Sequence, residues 1–246
     1  LDRRQVATYT LYRTELRLAR QSNSRTFIPA TTSLITPVFV AAIRVRTSKH
    51  REACMYIPKH FEIIDETEIC KFIEANSFGQ LISLHDTAIV STPMPFLFDA
   101  GGRVLVGHLA KANPQWQQIQ KQKVLVTLQG EHTYVSPSWY ESAGVPTWNY
   151  QAVHIEGTAQ SFTDSKKLKH VVDTLTAANE SSCQNPWEPD YTASMLHGIV
   201  GIEITITSIQ CKFKLSQNRS IQDQSNVQEQ LAASGYKALA KAMNKP

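Results

Sequence analysis

The residues best suited to chemistry lie in segment 102–116, where a strand pattern gives way to a helix start. The predicted strand ends at His108, and Lys111 follows in a short loop. Asn113 is a suitable N-cap, and Pro114 fits the first helical position. An imidazole, an ammonium group and the N–H groups of a helix start would together stabilise a phosphate. The segment therefore predicts a phosphate site, although the same spacing also fits a solvated turn.

The elements around this segment are a series of short strands separated by turn residues. Alternating apolar residues bounded by Gly, Asp and Pro predict strands over 78–85, 89–99, 103–108, 123–130 and 133–135, a longer strand pair within 148–162, and the last strands within 199–215. Asp65 and Asp164 are suitable N-caps, and they predict helices over 65–76 and 165–178. A helical stretch broken by Gly235 is predicted over 226–243, besides the helix that begins at Asn113. Roughly seven strands and three or four helices predict an α+β fold, a barrel with antiparallel pairing.

Basic residues are distributed unevenly along the 246 residues of the chain. Residues 1–54 hold nine Arg and one Lys against three acidic residues, whereas 55–246 hold fifteen basic and eighteen acidic residues. The formal net charge of +4 therefore comes from the first segment. The main body offers no whole-protein argument for attraction to nucleic acid or membranes.

The first 54 residues differ enough from the rest to form a separate segment. They contain no Gly, and the first methionine of the chain is Met55. We expect 1–54 to be an Arg-rich, disordered leader upstream of a native start at Met55, and 55–246 to form one domain. An organelle transit peptide is the alternative, because such peptides are rich in Arg and Ser and poor in acidic residues.

The sequence lacks the motifs of several classes of enzyme and of metal sites. The chain has no Gly-x-Gly-x-x-Gly run and no Gly-x-Ser-x-Gly turn, and its four cysteines lack the paired spacing of a metal site. We therefore expect no metal ligands and no catalytic side chains of the hydrolase type. The cysteines are expected to be free thiols in a reducing compartment.

Five segments together resemble one family, the PaiB-type FMN-binding negative transcriptional regulators. They read MYIPKHF at 55–61, PFLFD at 95–99, GHLAKANPQW at 107–116, YVSPSWY with VPTWNY within 134–150, and KFKLSQNR at 212–219. Their order and spacing cover nearly all of 55–246, so the resemblance is specific. Met55 also falls where such proteins begin.

The resemblance implies a split β-barrel of the pyridoxamine-phosphate-oxidase-like kind, with antiparallel strands and peripheral helices. It implies that 55–246 binds FMN at the interface of a homodimer. By position, His108 and Lys111 correspond to phosphate contacts, and Asn113 caps the helix beside them.

Further residues are implied to surround the flavin ring. They are the strand residues Pro95, Phe96 and Leu97, whose backbone would meet the polar edge of the ring, the ring walls Trp139 and Trp148, and the closing residues Lys212, Ser216 and Gln217. Both tryptophans equally fit core or interface packing. The sequence departs from the family where Pro93 and Met94 replace a common His-Leu pair, so we expect no imidazole from this strand near the flavin.

By this resemblance the protein is a cytoplasmic, bacterial negative regulator of transcription, with FMN as sensor or structural ligand. The alternative is a flavin-dependent oxidoreductase, in which the flavin does the electron chemistry. DNA suits the regulator as a partner, although no clear DNA-reading helix is present. Residues 226–243, with Lys237 and Lys241, fit either a helix-turn-helix or a dimer-packing tail. No membrane partner is expected.

Overall fold

The computed structural model describes residues 55–244, so the predictions for 1–54 lie outside the described residues. Within this part, seven strands form one antiparallel sheet in the order β2-β1-β5-β6-β7-β4-β3. The strands are β1 (Phe78–His85), β2 (Ala88–Pro95), β3 (Leu97–Asp99), β4 (Val104–Ala110), β5 (Lys123–Val135), β6 (Thr147–Phe162) and β7 (Ile199–Lys214). The helices are α1 (Glu66–Ala75), α2 (Ser165–Glu180), α3 (Ala193–Leu196), α4 (Ile221–Ala233) and α5 (Lys237–Ala242), with 3-10 turns at Lys59–Phe61, Pro114–Gln117 and Pro137–Trp139.

The sheet curls into a barrel because β2 and β3 lie at its two opposite edges, yet only Phe96 separates them along the chain. At this crossing the backbone N–H of Phe96 donates to Ser77 O at 2.9 Å. Gly107 of β4 packs against the same place. A Cβ there would lie 2.4 Å from Met94 Cε and 2.7 Å from Pro95 O, so only glycine fits without rearrangement. The predicted fold class, an antiparallel split barrel with peripheral helices, is confirmed.

The core fills the barrel because alternate residues of each strand point inward. Its central side chains are fully buried, and they include Leu81, Leu105, Val126, Ile155 and Ile204. Each such side chain contributes roughly 1.5–3 kcal/mol by leaving water. The barrel is thus a packed scaffold, and a ligand must bind to its outer surface or its ends.

Helix α1, which the sequence predicts over 65–76, packs against the core of the barrel. Asp65 caps it by accepting a hydrogen bond from Glu68 N at 2.7 Å. Ile69, Phe72 and Ile73 form its buried face. No helix within residues 55–244 is long and apolar enough to cross a membrane.

Helix α2 covers the outer face of β3 and β4. Val171 and Leu175 of the helix form a second buried cluster with Val104 and Val106. Leu97 and Phe162 pack against this cluster. Asp164 caps the helix through Lys167 N at 2.8 Å, as the sequence predicts.

Four strand predictions differ from the structure. The strand predicted over 89–99 is two strands, β2 and β3, and the last strands predicted within 199–215 are the single strand β7. The stretch 148–162 lies within one strand of 16 residues, β6, and is not a strand pair. The two short strands predicted on either side of Gly130 are one strand, β5, with a register shift between Gln129 and His132. Gly130 therefore does not end the strand. It lets α1 approach, because a Cβ there would lie 2.9 Å from Phe72 Cε2.

Candidate functional site

His108 lies near the end of β4, opposite Gly201 of β7. It follows Val104 and Val106 on the outer face, because alternate residues share a face. Burial lowers the pKa of its imidazole below the usual 6.5, so the ring is neutral at pH 7. Its Nδ1 atom is buried and lacks a hydrogen-bond partner among residues 55–244. Such an unpaired atom costs about 1–3 kcal/mol, so a ligand group that bonds to it would be favoured.

The loop after β4 holds Lys111 in a fixed backbone position with an exposed side chain. Lys111 N donates to Gly198 O at 2.8 Å, and Asn113 N donates to Ala110 O at 2.9 Å. The Trp116 indole donates to Lys111 O at 2.9 Å. The ammonium group forms none of the ion pairs found between described residues. It is therefore available to an anion beside His108.

A buried network that the sequence did not predict anchors this loop to the barrel. Gln115 is fully buried, and its amide donates to Leu81 O at 3.0 Å and to Ser83 Oγ at 2.8 Å. Its carbonyl accepts from Thr92 Oγ1 at 2.6 Å. Asn113 accepts from Gln115 N and donates to Thr92 Oγ1, at 3.0 and 2.9 Å. The candidate site is thereby fixed to β1 and β2.

The predicted helix after Asn113 is a 3-10 turn of four residues, Pro114–Gln117. The predicted cap by Asn113 is present, but a single turn adds only a small dipole. The helical conformation does not continue to β5, because Lys121 has a positive φ of 59°. Stabilisation of a phosphate would therefore depend on the side chains of Lys111 and His108 rather than on a helix dipole.

The residues predicted to meet the edge of the flavin ring, 95–97, lie where the chain passes from β2 to β3. Phe96 is buried in the core, and its N–H group already bonds to Ser77 O. Leu97 pairs with Val106 and packs under α2. Pro95 is half-buried at the end of β2. The side chain of Phe96 thus serves packing, and only the outward backbone of this segment is open to a ligand.

The remaining predicted residues belong to a different region. Lys212 pairs with Ala152, eleven positions further along β7 than Gly201, the partner of His108. A straight strand of that length spans ~36 Å. Trp148, Ser216 and Gln217 lie within a few strand positions of Lys212 at this far end, and Trp139 lies in the 3-10 turn that follows β5. A single copy of the chain does not bring the two groups of predicted residues together.

Two residues of the far group are engaged within the chain. Ser216 is buried and exchanges hydrogen bonds with the Asn149 side chain at 3.0 and 3.1 Å. Gln217 donates to Phe213 O at 2.6 Å and accepts from Leu215 N at 2.7 Å. Both contacts fix the chain as it leaves β7. Neither side chain is presented to a ligand in this arrangement.

The tryptophans and lysines of the far group differ in exposure. Trp139 is half-buried and packs against the core, whereas Trp148 is 53% exposed. Lys212 is buried and donates to Tyr56 O at 2.9 Å. Lys214, which the sequence did not single out, donates to Trp148 O at 2.7 Å. Burial lowers the pKa of Lys214, and the nearby charges of Lys212 and Arg219 lower it further.

Comparison with known proteins identifies the family. Residues 55–208 match the model of the family described as "Putative FMN-binding domain". The chain is 40% identical over 185 residues to the protease synthase and sporulation protein PAI 2 of Bacillus subtilis (strain 168), which covers 72% of this chain and 89% of that protein. It is 31% identical over 154 residues to an uncharacterized protein of Saccharomyces cerevisiae, which covers 51% of this chain and 90% of that protein.

Solved structures share the fold. The flavocytochrome Anf3 from Azotobacter vinelandii superimposes with a TM-score of 0.55 at 14% identity, covering 69% of this chain and 78% of that one. The relatives include fungal as well as bacterial proteins, so family membership does not by itself make the source bacterial. The chain belongs to the FMN-binding domain family that its resemblance to the PaiB-type proteins indicated, and it is a flavin-binding split β-barrel protein with FMN as its cofactor.

Proposed function

We propose that this protein is a cytoplasmic, FMN-binding negative regulator of transcription that acts as a homodimer. His108 and Lys111 hold the phosphate of the flavin, and the backbone near Pro95 and Leu97 meets the ring edge. Asn113 and Gln115 position the phosphate loop.

The observation that carries the proposed site is the unpaired, buried Nδ1 of His108 in the same loop region as the exposed ammonium group of Lys111. A neutral imidazole that carries its proton on Nδ1 can donate to a phosphate oxygen. A lysine adds the charge that a phosphate requires. The two groups are complementary to a phosphomonoester, as in FMN.

The dimer is supported by an apolar outer surface on β1 and β2. Phe78 and Leu84 point outward from β1, and Ile89 lies opposite Leu84 on β2. All three side chains are exposed, with Ile89 at 78%. Exposed apolar side chains on one sheet face favour burial against a protein partner. A flavin at His108 can contact Trp148 or Lys212 only if a second copy of the chain supplies them.

The regulator activity requires contact with DNA, and the pair α4 and α5 is a weak candidate for it. Helix α5 has six residues and buries Leu239 and Ala240. A recognition helix must expose a face along the major groove. Little of α5 is left for that purpose. The support for the regulator function is therefore the family resemblance and not a DNA-reading helix.

The cofactor site is tested by flavin retention. The purified full chain should be yellow and release FMN on denaturation. Lys111→Ala should weaken FMN binding about 10- to 100-fold, because a hydrogen bond to a charged group contributes about 1.5–3 kcal/mol. Lys166→Ala, an exposed lysine on α2, is the matched control and should retain FMN. Unchanged affinity in Lys111→Ala would remove Lys111 from the site.

The regulator function is tested separately from the cofactor site. The FMN-loaded protein should retard genomic DNA fragments of its source organism in a gel at low salt, and some fragments should remain bound at higher salt. The same preparation should not oxidise reduced nicotinamide cofactors. Turnover of reduced nicotinamide without any DNA retention would contradict the regulator and favour a flavin-dependent oxidoreductase.

A further inference from the structure

The segment that follows α2 folds back along the outer side of that helix. The Tyr191 hydroxyl donates to Asp173 Oδ1, and Trp187 N donates to Glu180 Oε2 at 2.8 Å. A groove of about 530 Å³ lies between the helix and this segment. We call it the α2 groove, and its walls include Asp173, Thr176 and Glu180 of the helix and Pro186, Trp187 and Glu188 of the segment.

The α2 groove lies on the side of α2 that faces away from the barrel. On the inner side of the helix, Val171 and Leu175 pack against valines of β4. Successive helical residues are about 100° apart, so Asp173, Thr176 and Glu180 share the opposite side. The helix therefore separates the groove from β4, the strand that carries His108.

Negative charge predominates in the α2 groove. Its charged residues are one lysine, Lys169, and three carboxylates, Asp173, Glu180 and Glu188, so their net charge is −2. Lys169 pairs with Asp173 at 2.7 Å. Glu180 and Glu188 form none of the ion pairs found between residues 55–244. The groove thus disfavours an anion such as FMN and favours a cation.

Trp187 supplies an aromatic wall to the groove, and its side chain is 47% exposed. Its backbone N–H group also fixes the Glu180 carboxylate nearby. A cation over the face of a tryptophan is attracted to the ring, and a carboxylate accepts hydrogen bonds from an ammonium group. Glu180 and Trp187 together therefore offer both kinds of contact that an ammonium ion uses.

The chain itself already holds one ammonium group in such surroundings. Lys169 Nζ lies 2.7 Å from the Asp173 carboxylate and 5.5 Å from the ring centroid of Tyr191. Glu180 and Trp187 repeat this combination of carboxylate and ring about two helical turns further along α2. None of the cation–ring contacts between described residues involves Trp187. This second combination is therefore open to a cation from outside the chain.

We propose that the α2 groove binds a small organic ammonium ligand, a primary amine on an apolar carbon skeleton. The ammonium group lies between the Glu180 carboxylate and the Trp187 ring, and the skeleton packs on Ala177 and Pro186. The volume of the groove is within the range of small-molecule sites, about 300–1,000 Å³. A metal ion does not suit it, because residues 55–244 contain no group of three or more metal-binding side chains.

This inference goes beyond the proposed FMN site and does not depend on it. It gives an FMN-binding protein a second ligand, of opposite charge. Because the two ligands bind on different sides of α2, substitutions in the groove can be examined with FMN in place.

The test is a calorimetric titration of the full, FMN-loaded chain with phenethylammonium chloride at pH 7 and low salt. The comparison ligand is 2-phenylethanol, which has the same carbon skeleton without the charge. The alcohol should bind at least about tenfold more weakly, because it lacks the ionic and cation–ring contacts. Added salt should weaken binding of the ammonium ligand by screening the carboxylates.

The aromatic contribution is tested at Trp187. Trp187→Ala should weaken binding of phenethylammonium about 3- to 30-fold, the range expected for a cation on a tryptophan ring. Tyr236→Ala is the matched control, since Tyr236 is 42% exposed but lies outside the groove. This control should bind the ligand as the wild type does.

The charge contribution is tested at Glu180. Glu180→Gln removes the charge, while its amide oxygen can still accept from Trp187 N and hold the segment in place. Binding of phenethylammonium should weaken about fivefold, as for a partly exposed ion pair. Glu229→Gln, at an exposed position of α4, is the control and should leave the affinity unchanged.

Flavin absorbance and thermal unfolding are measured for every variant. Weaker ammonium binding in Trp187→Ala and Glu180→Gln, with normal flavin content, supports the inference; if Trp187→Ala fails to fold, Glu180→Gln decides. Equal affinity for the ammonium ligand and the alcohol, or wild-type affinity in Glu180→Gln, would overturn it. So would loss of flavin in a folded variant, because the groove would then belong to the flavin site. Binding of tetralysine but not of phenethylammonium would also overturn it, since the occupant would then be a basic protein segment.

Discussion

The two ends of β7 carry basic groups in different physical states. At the Gly201 end, His108 is neutral because burial lowers its pKa, and Lys111 is exposed. At the other end, Lys212 and Lys214 are held by hydrogen bonds next to exposed rings. The first region offers one unpaired donor site and one mobile charge. The second offers flat surfaces and fixed charges.

This difference indicates two kinds of ligand. A phosphomonoester needs a small number of convergent donors and little apolar surface, as at His108 and Lys111. A flat aromatic group needs ring faces with charges at their side, as at Trp148 and Lys214. Similar residue types therefore serve different purposes because the sheet gives them different neighbours.

The largest effect is expected at Gln115, which anchors the first region. Gln115→Leu removes the side-chain hydrogen bonds to Leu81, Ser83, Val90 and Thr92, and it leaves the Ser83 hydroxyl unpaired in the barrel. We expect a loss of about 3 kcal/mol in the free energy of unfolding, and weaker FMN binding in the molecules that remain folded. Urea denaturation measures the first effect and flavin titration the second.

The region around Lys212 and Lys214 should respond differently to Gln115→Leu. Gln115→Leu should leave the second region intact, because the network reaches β1 and β2 only. Gln222→Leu, which alters an exposed glutamine on α4, is the control and should change stability little. If Gln115→Leu loses stability but retains full FMN affinity, the network does not position the phosphate loop.

A smaller effect is expected at Ser216, in the second region. Ser216→Ala leaves the buried Asn149 side chain without one partner and should cost about 1–2 kcal/mol of stability. FMN affinity should stay unchanged, because the hydroxyl faces Asn149 and not a ligand. Ser234→Ala at the end of α4 is the exposed control. A loss of FMN affinity without loss of stability would instead place Ser216 in a flavin site of the dimer.

The barrel class and most elements could be predicted from the sequence because turn residues and caps act locally. Asp65 and Asp164 cap their helices as expected. The length of β7 could not be predicted this way, since 199–215 fits several strands as well as one. A single 16-residue strand carries Lys212 far from Gly201, and this separates residues that the resemblance had grouped.

The burial of side chains at the site could not be predicted from the sequence either. Gln115 follows Pro114 in a polar turn, where glutamine is ordinarily exposed. It is buried because Leu81 O, Ser83 and Thr92 lie within reach on β1 and β2, a fact of tertiary packing. The phosphate loop was therefore found from the sequence, but the residue that holds it was not.

The smallest predicted effect is the pH dependence that His108 gives the first region. The pKa of His108 is lower in the folded chain than the usual 6.5, because burial disfavours the charged ring. Between these two pKa values the unfolded chain binds more protons, so stability is fully present above about 6.5 and falls as the pH drops. In the FMN-free protein, His108→Gln should therefore reduce the loss of thermal stability between pH 7 and pH 5.

His154 also contributes to acid sensitivity. Burial lowers its pKa, and the negative charge of Glu156 raises it in part. Its contribution has the same sign, so some acid sensitivity should remain in His108→Gln. Thermal unfolding of the wild type and of His108→Gln at several pH values separates the two contributions. A variant as acid-sensitive as the wild type would mean that the His108 ring does not titrate differently in the folded and unfolded chains.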